Sequence, residues 1–477
     1  MTACLAPAVA ADVARPTMPG EPVALDGVEV ALRLADAVFI GLANNGAIRS
    51  AYLERAAQKQ ELKQASDIFS PRFSVSSRHV ANQTEGDDYF SLTEIKPTAT
   101  LQSEYGTKFS LSYDNRITQG GLVGYNRNDG ASFTVVQPLL RGASREVVTA
   151  PLRKAEMTDQ MNRLKLKAAV ANAVTEIVVA YNDLLRAQEQ ERLARQAVTQ
   201  ANRLLFDNLH LIAAGFYHDV DFVLAEAEVA QQELASEEAV NQLEACRLHL
   251  LRLLALDLEL NVRAVDAIDA HRVKVSVAQA LRAAREQQPA WLIQNIAFER
   301  ARVDLTVARD QRKWDVSLVG GARQSRNYAH AANGGHDTTT DRENHAGIQI
   351  EIPIGDAGPR ESEARASINV RNENTRLIEA RQALERDIND AVRTLDTRWR
   401  QVEIAQRAQD LARRKLENER ERQRTGSSAS RLPAFESALR DAEATRINAI
   451  VAYRNAQATL ERIQGTTLDS WEISLND

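Results

Sequence analysis

Two stretches of this 477-residue chain carry apolar residues at alternating steps of three and four over many turns. In one, Leu166, Val170, Val174, Ile177, Tyr181 and Leu184 step by 4, 4, 3, 4 and 3; in the other, Leu384, Ile388, Val392, Leu395, Trp399 and Val402 repeat those steps. Such spacing places one apolar stripe along each helix, with the period of a coiled-coil seam. Unbroken from 147 to 213, the first helix would reach about 100 Å. That is far beyond a globular helix, so these helices must lie against partners of similar length. Ala, Leu, Glu, Gln and Arg dominate the composition while aromatic residues make up 5%, which favours long helices over a compact mixed core.

The chain also repeats itself. LANNGAIRSAYLERAAQKQEL (42–62) matches REQQPAWLIQNIAFERARVDL (285–305) at an offset of 243 residues. Both segments lead through a helix into an alternating stretch, FSPRFSVSS (69–77) or RKWDVSLVGG (312–321). TVVQPLLRG (134–142) then matches QIEIPIGDAG (349–358) through Pro138 and Pro353, and Gly215 matches Gly426, at offsets of 215 and 211. The two halves therefore share one order of elements, and the first carries about 28 extra residues between its first strand and its proline.

Those extra residues are β-rich. Phe109, Leu111 and Tyr113 interleave with Ser110 and Ser112, Phe73 and Val75 with Ser74 and Ser76, and Ile348, Ile350 and Ile352 with Gln349 and Glu351. Strict alternation gives a sheet one apolar and one polar face. Either the apolar face packs on a core, or it meets lipid while the polar face lines a wet lumen. Nothing else in the chain is assigned to cover these strands, which favours lipid. A few hairpins cannot close a barrel alone, and lipid tolerates no open edge, so the barrel reading requires a cyclic oligomer. TEIKPTATLQSEYGTKFSLSYDN adds a candidate hairpin turning at Tyr105-Gly106-Thr107.

Other features set limits. The net charge of -6 is spread in both signs, with no basic tract for nucleic acid. No run reaches the roughly 18 apolar residues of a spanning helix, which argues against an α-helical membrane protein and leaves a β-barrel open. MTACLAPAVAADVARP resembles the end of a secretory signal. TAC fits a lipobox only loosely; besides a signal remnant removed with Cys4, the segment reads as a disordered terminus or as a lipid attachment point at Cys4. With Cys246 as the other cysteine, no disulfide framework or zinc spacing exists. His330, His336 and His345 are irregularly spaced in a polar segment and read as solvated, as does RRKLENERERQR (413–424) on a helix face. No nucleophile elbow, phosphate loop or acid/base pair is present; no enzymatic activity, cofactor or metal is expected.

LANNGAI and EQQPAW, VVQPLLRG before a long helix, and GFYHDVD before a helix ending LHLLRLLALD occur in an order that resembles the TolC-like trimeric outer-membrane efflux proteins. The resemblance covers about residues 25 to 470. It implies a fold that is mainly α with β: long antiparallel coiled-coil-like helices in a trimeric α-barrel, β-hairpins in a shared transmembrane β-barrel, and an internal twofold repeat. It further implies a passive exit duct in the outer membrane of a Gram-negative bacterium. The partners it implies are a homotrimer, outer-membrane lipid, a periplasmic adaptor protein and, through the adaptor, an inner-membrane pump of resistance–nodulation–division or ABC type. The exported cargo would be small molecules, metals or protein.

On this reading residues 1–24 are a signal remnant and extension, and 25–72 the first short helices. Residues 73–137 form an enlarged first β segment and 142–256 the first long hairpin. A linker and short helices follow over 257–312, then a second β segment (313–354), a second long hairpin (357–466) and a tail (467–477). The helical interruptions become the periplasmic tips, where adaptor docking and gating occur. Gly215 and Phe216, with Asp219 and Asp221 to cap the returning helix, form the first tip. Gly426 and Ser427 form the second, where the family's carboxylates give way to Leu432, Pro433 and Phe435, with Glu436 a partial substitute if the alignment slips by one. The rival reading is a soluble coiled-coil scaffold with small β modules.

Overall fold

The computed structural model describes residues 29–83, 89–120, 124–213, 219–330, 335–352, 354–424 and 432–475. A short strand β1 (Val30–Leu32) leads into helices α1 (Leu34–Asn44) and α2 (Gly46–Ser66). Four strands follow: β2 (Arg72–Gln83), β3 (Tyr89–Gln102), β4 (Lys108–Gly120) and β5 (Tyr125–Pro138). One helical turn, α3 (Arg145–Val148), precedes the long helix α4 (Ala150–Ala213), which is followed by α5 (Asp219–Leu254). The second half runs β6 (Val262–Ala264), α6 (Val277–Gln287), α7 (Pro289–Gln311), β7 (Asp315–His330), β8 (His336–Glu351), α8 (Gly358–Arg424), α9 (Leu432–Gln464) and α10 (Thr467–Ser470). The protein is mainly helical with an antiparallel sheet.

Helix breaks are set by capping. Asn45 leaves the helical region; its side-chain Oδ1 accepts hydrogen bonds from the Ala47 and Ile48 backbone amides, and its Nδ2 donates to the Leu253 carbonyl at 2.7 Å. Gln288 does the same before α7, accepting from the Trp291 amide at 2.6 Å, with Pro289 as the first helical residue. These two caps are related by the offset of 243 residues seen in the sequence.

The seam residues are where the periodicity puts them. Leu166, Val170, Val174, Ile177, Tyr181 and Leu184 of α4 are buried against α1, α5 and β6, and Leu384, Ile388, Val392 and Leu395 of α8 against α6 and α9. The bundle forms a layer in which α5 lies on α4, α4 on α9, and α9 on α8. At 64 and 67 residues, α4 and α8 are each about 100 Å long, whereas α5 and α9 are about half that. Helices α2 and α7 take up the remaining length, packing on α4 and α8. There Arg55 meets Asp159 at 2.5 Å with both side chains nearly inaccessible, and Lys154 meets Asp304 at 2.8 Å.

By length and composition α4 contains a window apolar enough to cross a membrane, but 67% of that window is buried by its neighbours. The apolar content serves the bundle core.

Candidate membrane-facing sheet and helical tips

The main sheet has six strands in the order β2-β3-β4-β5-β7-β8, every neighbour antiparallel. Its register carries one face across all six strands. Phe73 lies opposite Ala99, Ala99 opposite Leu111, and Leu111 opposite Phe133, while Leu318 lies opposite Ile348. In the helix-proximal half, this face is apolar and bare: Phe73 is 81% exposed, Val75 72%, Ile348 66% and Ile350 60%. Farther along it turns polar at Asn115, Asp129 and Arg326, where Tyr113 donates to Asp129 at 3.3 Å. Tyr125 and Tyr328 then stack edge to face at 6.2 Å.

The opposite face is polar and concave. Glu94, Lys96, Asp114, Arg116, Arg323 and Glu343 line a cavity of ≈ 880 Å³ between the strands. Lys96 pairs with Asp114 at 3.0 Å, and the Ser112 and Ser132 hydroxyls bond at 2.8 Å. Alternation foresaw the serines, Gln349 and Glu351 on this side but not the charged cluster. Its signal was present in TEIKPT, where Glu94 and Lys96 flank Ile95. His330 and His336 stack at 4.3 Å on one face, while His345, one step out of their parity, lies on the other. Among the described residues no three His, Cys, Asp or Glu side chains converge as a metal site.

The foot of the sheet is tied to the bundle. The β3–β4 turn has Gly106 at φ +81, with Ser103 closing it through hydrogen bonds from the Tyr105 and Thr107 amides. A Cβ on Gly106 would stand 2.4 Å from the Gly142 carbonyl oxygen and 2.9 Å from Pro138, so this turn is seated on the segment leading to α4. Arg145 pairs with Glu104 at 2.6 Å, Arg141 with Asp315 at 2.5 Å, and the Gly142 amide donates to buried Asp310 at 2.7 Å.

At the waist, β1 and β6 pair in parallel beside α4. The buried Tyr181 hydroxyl donates to the Leu32 carbonyl at 2.9 Å or Asp266 at 2.7 Å; burial first, and the Asp266 bond second, push its pKa up. Tyr453 anchors the next stretch, donating to the His271 carbonyl and accepting from the Val273 amide. Further along α9, desolvation raises the pKa of Glu461.

Gly215, Phe216, Gly426 and Ser427 lie outside the described residues, as does Cys4. Asp219 and Asp221 fall in the first turn of α5. Leu432 begins α9, Pro433 follows it, and Leu432 and Phe435 are half-buried. Glu436 is held by Arg420 of α8 at 2.9 Å.

No protein-family model and no curated protein matches the sequence. Solved structures do match in shape. The Campylobacter jejuni CmeC outer membrane channel superposes with a TM-score of 0.68 at 14% identity, over 91% of this chain and 86% of that one. The open-state MtrE outer membrane channel of Neisseria gonorrhoeae gives 0.68 at 14%, over 91% and 89%. The outer membrane protein VceC of Vibrio cholerae gives 0.66 at 14%, over 91% and 96%. This chain has the fold of the TolC-like outer-membrane channels.

Proposed function

We propose that the protein is the outer-membrane exit duct of a tripartite efflux pump or a type I secretion system in a Gram-negative bacterium, a passive homotrimeric channel without enzymatic activity. The observation that carries this reading is the bare apolar face of Phe73, Val75, Ile348 and Ile350, backed by a concave charged face. A soluble scaffold would have to cover that face, whereas lipid covers it at no cost, and a wet lumen suits the charges behind it. The likeness to channel structures supports the same reading through the fold. The helices would form the periplasmic tunnel, and the tips at 213–221 and 424–435 would dock a periplasmic adaptor and, through it, an inner-membrane pump.

Membrane fractionation and planar-bilayer recording test this. The protein should sediment with the outer membrane, need detergent for release, and give discrete ion conductance as a purified oligomer. Recovery in the soluble fraction without detergent would establish the scaffold reading instead.

A further inference from the structure

The sheet ends in two free edges, β8 exposed along its whole length and β2 at every residue but Val80. Such edges cannot stand in lipid, where each unpaired amide or carbonyl costs several kcal/mol. Six is an even number, so β2 and β8 run in opposite directions, and β8 of one copy can pair antiparallel with β2 of the next. Cyclic joining then leaves no edge.

The register of that joint can be read from the sheet. The pairing row through Arg72 crosses Thr100, Ser110, Thr134 and Gly321 and reaches His345. Strand β8 runs six residues past His345, to Glu351, before turning towards α8. Strand β2 has no such overhang, because it starts at Arg72, directly after the turn that ends α2. Both strand feet rest on the same platform, where α2 and α7 brace α4 and α8. The rows therefore slip by six residues across one copy.

We infer that three copies close an eighteen-stranded barrel, six strands from each, with Arg72 opposite Glu351 of the partner subunit. This rests on the trimeric channel proposed above and specifies its pore. A slip of six per copy gives a total shear of eighteen, equal to the strand number. That ratio corresponds to a strand tilt of about 36°, as in other barrels with equal shear and strand number, and inside the range closure requires. With strands about 4.8 Å apart, the barrel would be about 34 Å across between backbones, in the size class that leaves an open aqueous channel.

The side chains brought together support this register. On the lumenal face Arg72 meets the partner subunit's Glu351, opposite in charge. On the outer face Phe73 meets the partner subunit's Ile350 and Val75 the partner subunit's Ile348, which continues the bare apolar face around the ring. Closing without slip would set Arg72 against the partner subunit's His345, leave six residues of β8 projecting below the joint, and require untilted strands.

Thiol crosslinking reads the register directly. In a background with Cys4→Ser and Cys246→Ser, the pair Arg72→Cys with Glu351→Cys should give a covalent trimer on a non-reducing denaturing gel. Arg72→Cys with His345→Cys should leave monomers. In parallel, Arg72→Glu should weaken the detergent-purified trimer, and adding Glu351→Arg should restore it. A covalent trimer from the 72/345 pair, or none from 72/351 in a background that is still trimeric, would overturn the eighteen-stranded register while leaving the channel intact. A background protein that is soluble and never trimeric would overturn the channel reading itself, and this inference with it.

Discussion

Single side chains at the waist hold the connection between the two halves against the bundle. Tyr181 illustrates how the seam and the anchor coincide: its ring belongs to the apolar stripe of α4, while its hydroxyl fixes β1 and Asp266. The period-3.6 pattern marks such a residue as core, but only the fold reveals the polar contact at its tip. Glu461 is the opposite case, a carboxyl that burial penalises in its charged form. With its folded pKa raised, Glu461 stabilises most below the unfolded value near 4.5, and that contribution is lost as pH rises through the folded value. Glu461→Gln keeps the bonding geometry without the charge. Its melting temperature, followed by circular dichroism, should exceed the parent's at pH 8 and match it near pH 4. An equal difference at both pH values would show that the charge is not the cause.

At the scale of elements, legibility followed the strength of the local pattern. The α4 and α8 seams could be read residue by residue because burial on one stripe forces the period. The alternation at 109–113 and 348–352 disclosed two faces but not the number of strands, since a strand's neighbours are chosen by turns and register that period two does not encode. The β3–β4 turn is the informative exception: Tyr105-Gly106-Thr107 was legible as a turn, but its seat beneath Gly142 and Pro138 comes from chain that is distant in sequence and adjacent in the fold. Gly106 combines φ +81 with that close approach, so Gly106→Ala should cost about 1–3 kcal/mol. The loss should appear as a lower denaturant midpoint and faster proteolysis between β3 and β4, whereas an unchanged midpoint would mean that the turn is not seated on the foot of the sheet.

At the scale of the whole molecule, the two tips of the proposed duct would differ in charge, and this bears on how such a duct would close. Six residues after Gly215 stands Asp221, whereas six after Gly426 stands Leu432, with Pro433 and Phe435 close behind it. Glu436, the nearest carboxylate on α9, is paired with Arg420 and so contributes little net field. A ring of uncompensated carboxylates concentrates multivalent cations at a narrow pore, whereas an apolar constriction does not. Submillimolar trivalent cations added on the periplasmic side should therefore leave most of the single-channel current intact. Leu432→Asp would place one carboxylate per subunit at the constriction, three in the trimer, and should lower the half-blocking concentration by about tenfold or more. If the parent channel were blocked strongly at submillimolar concentration, and Asp219→Asn or Asp221→Asn abolished that block, the gate would belong to the acidic first tip and not to the apolar second one.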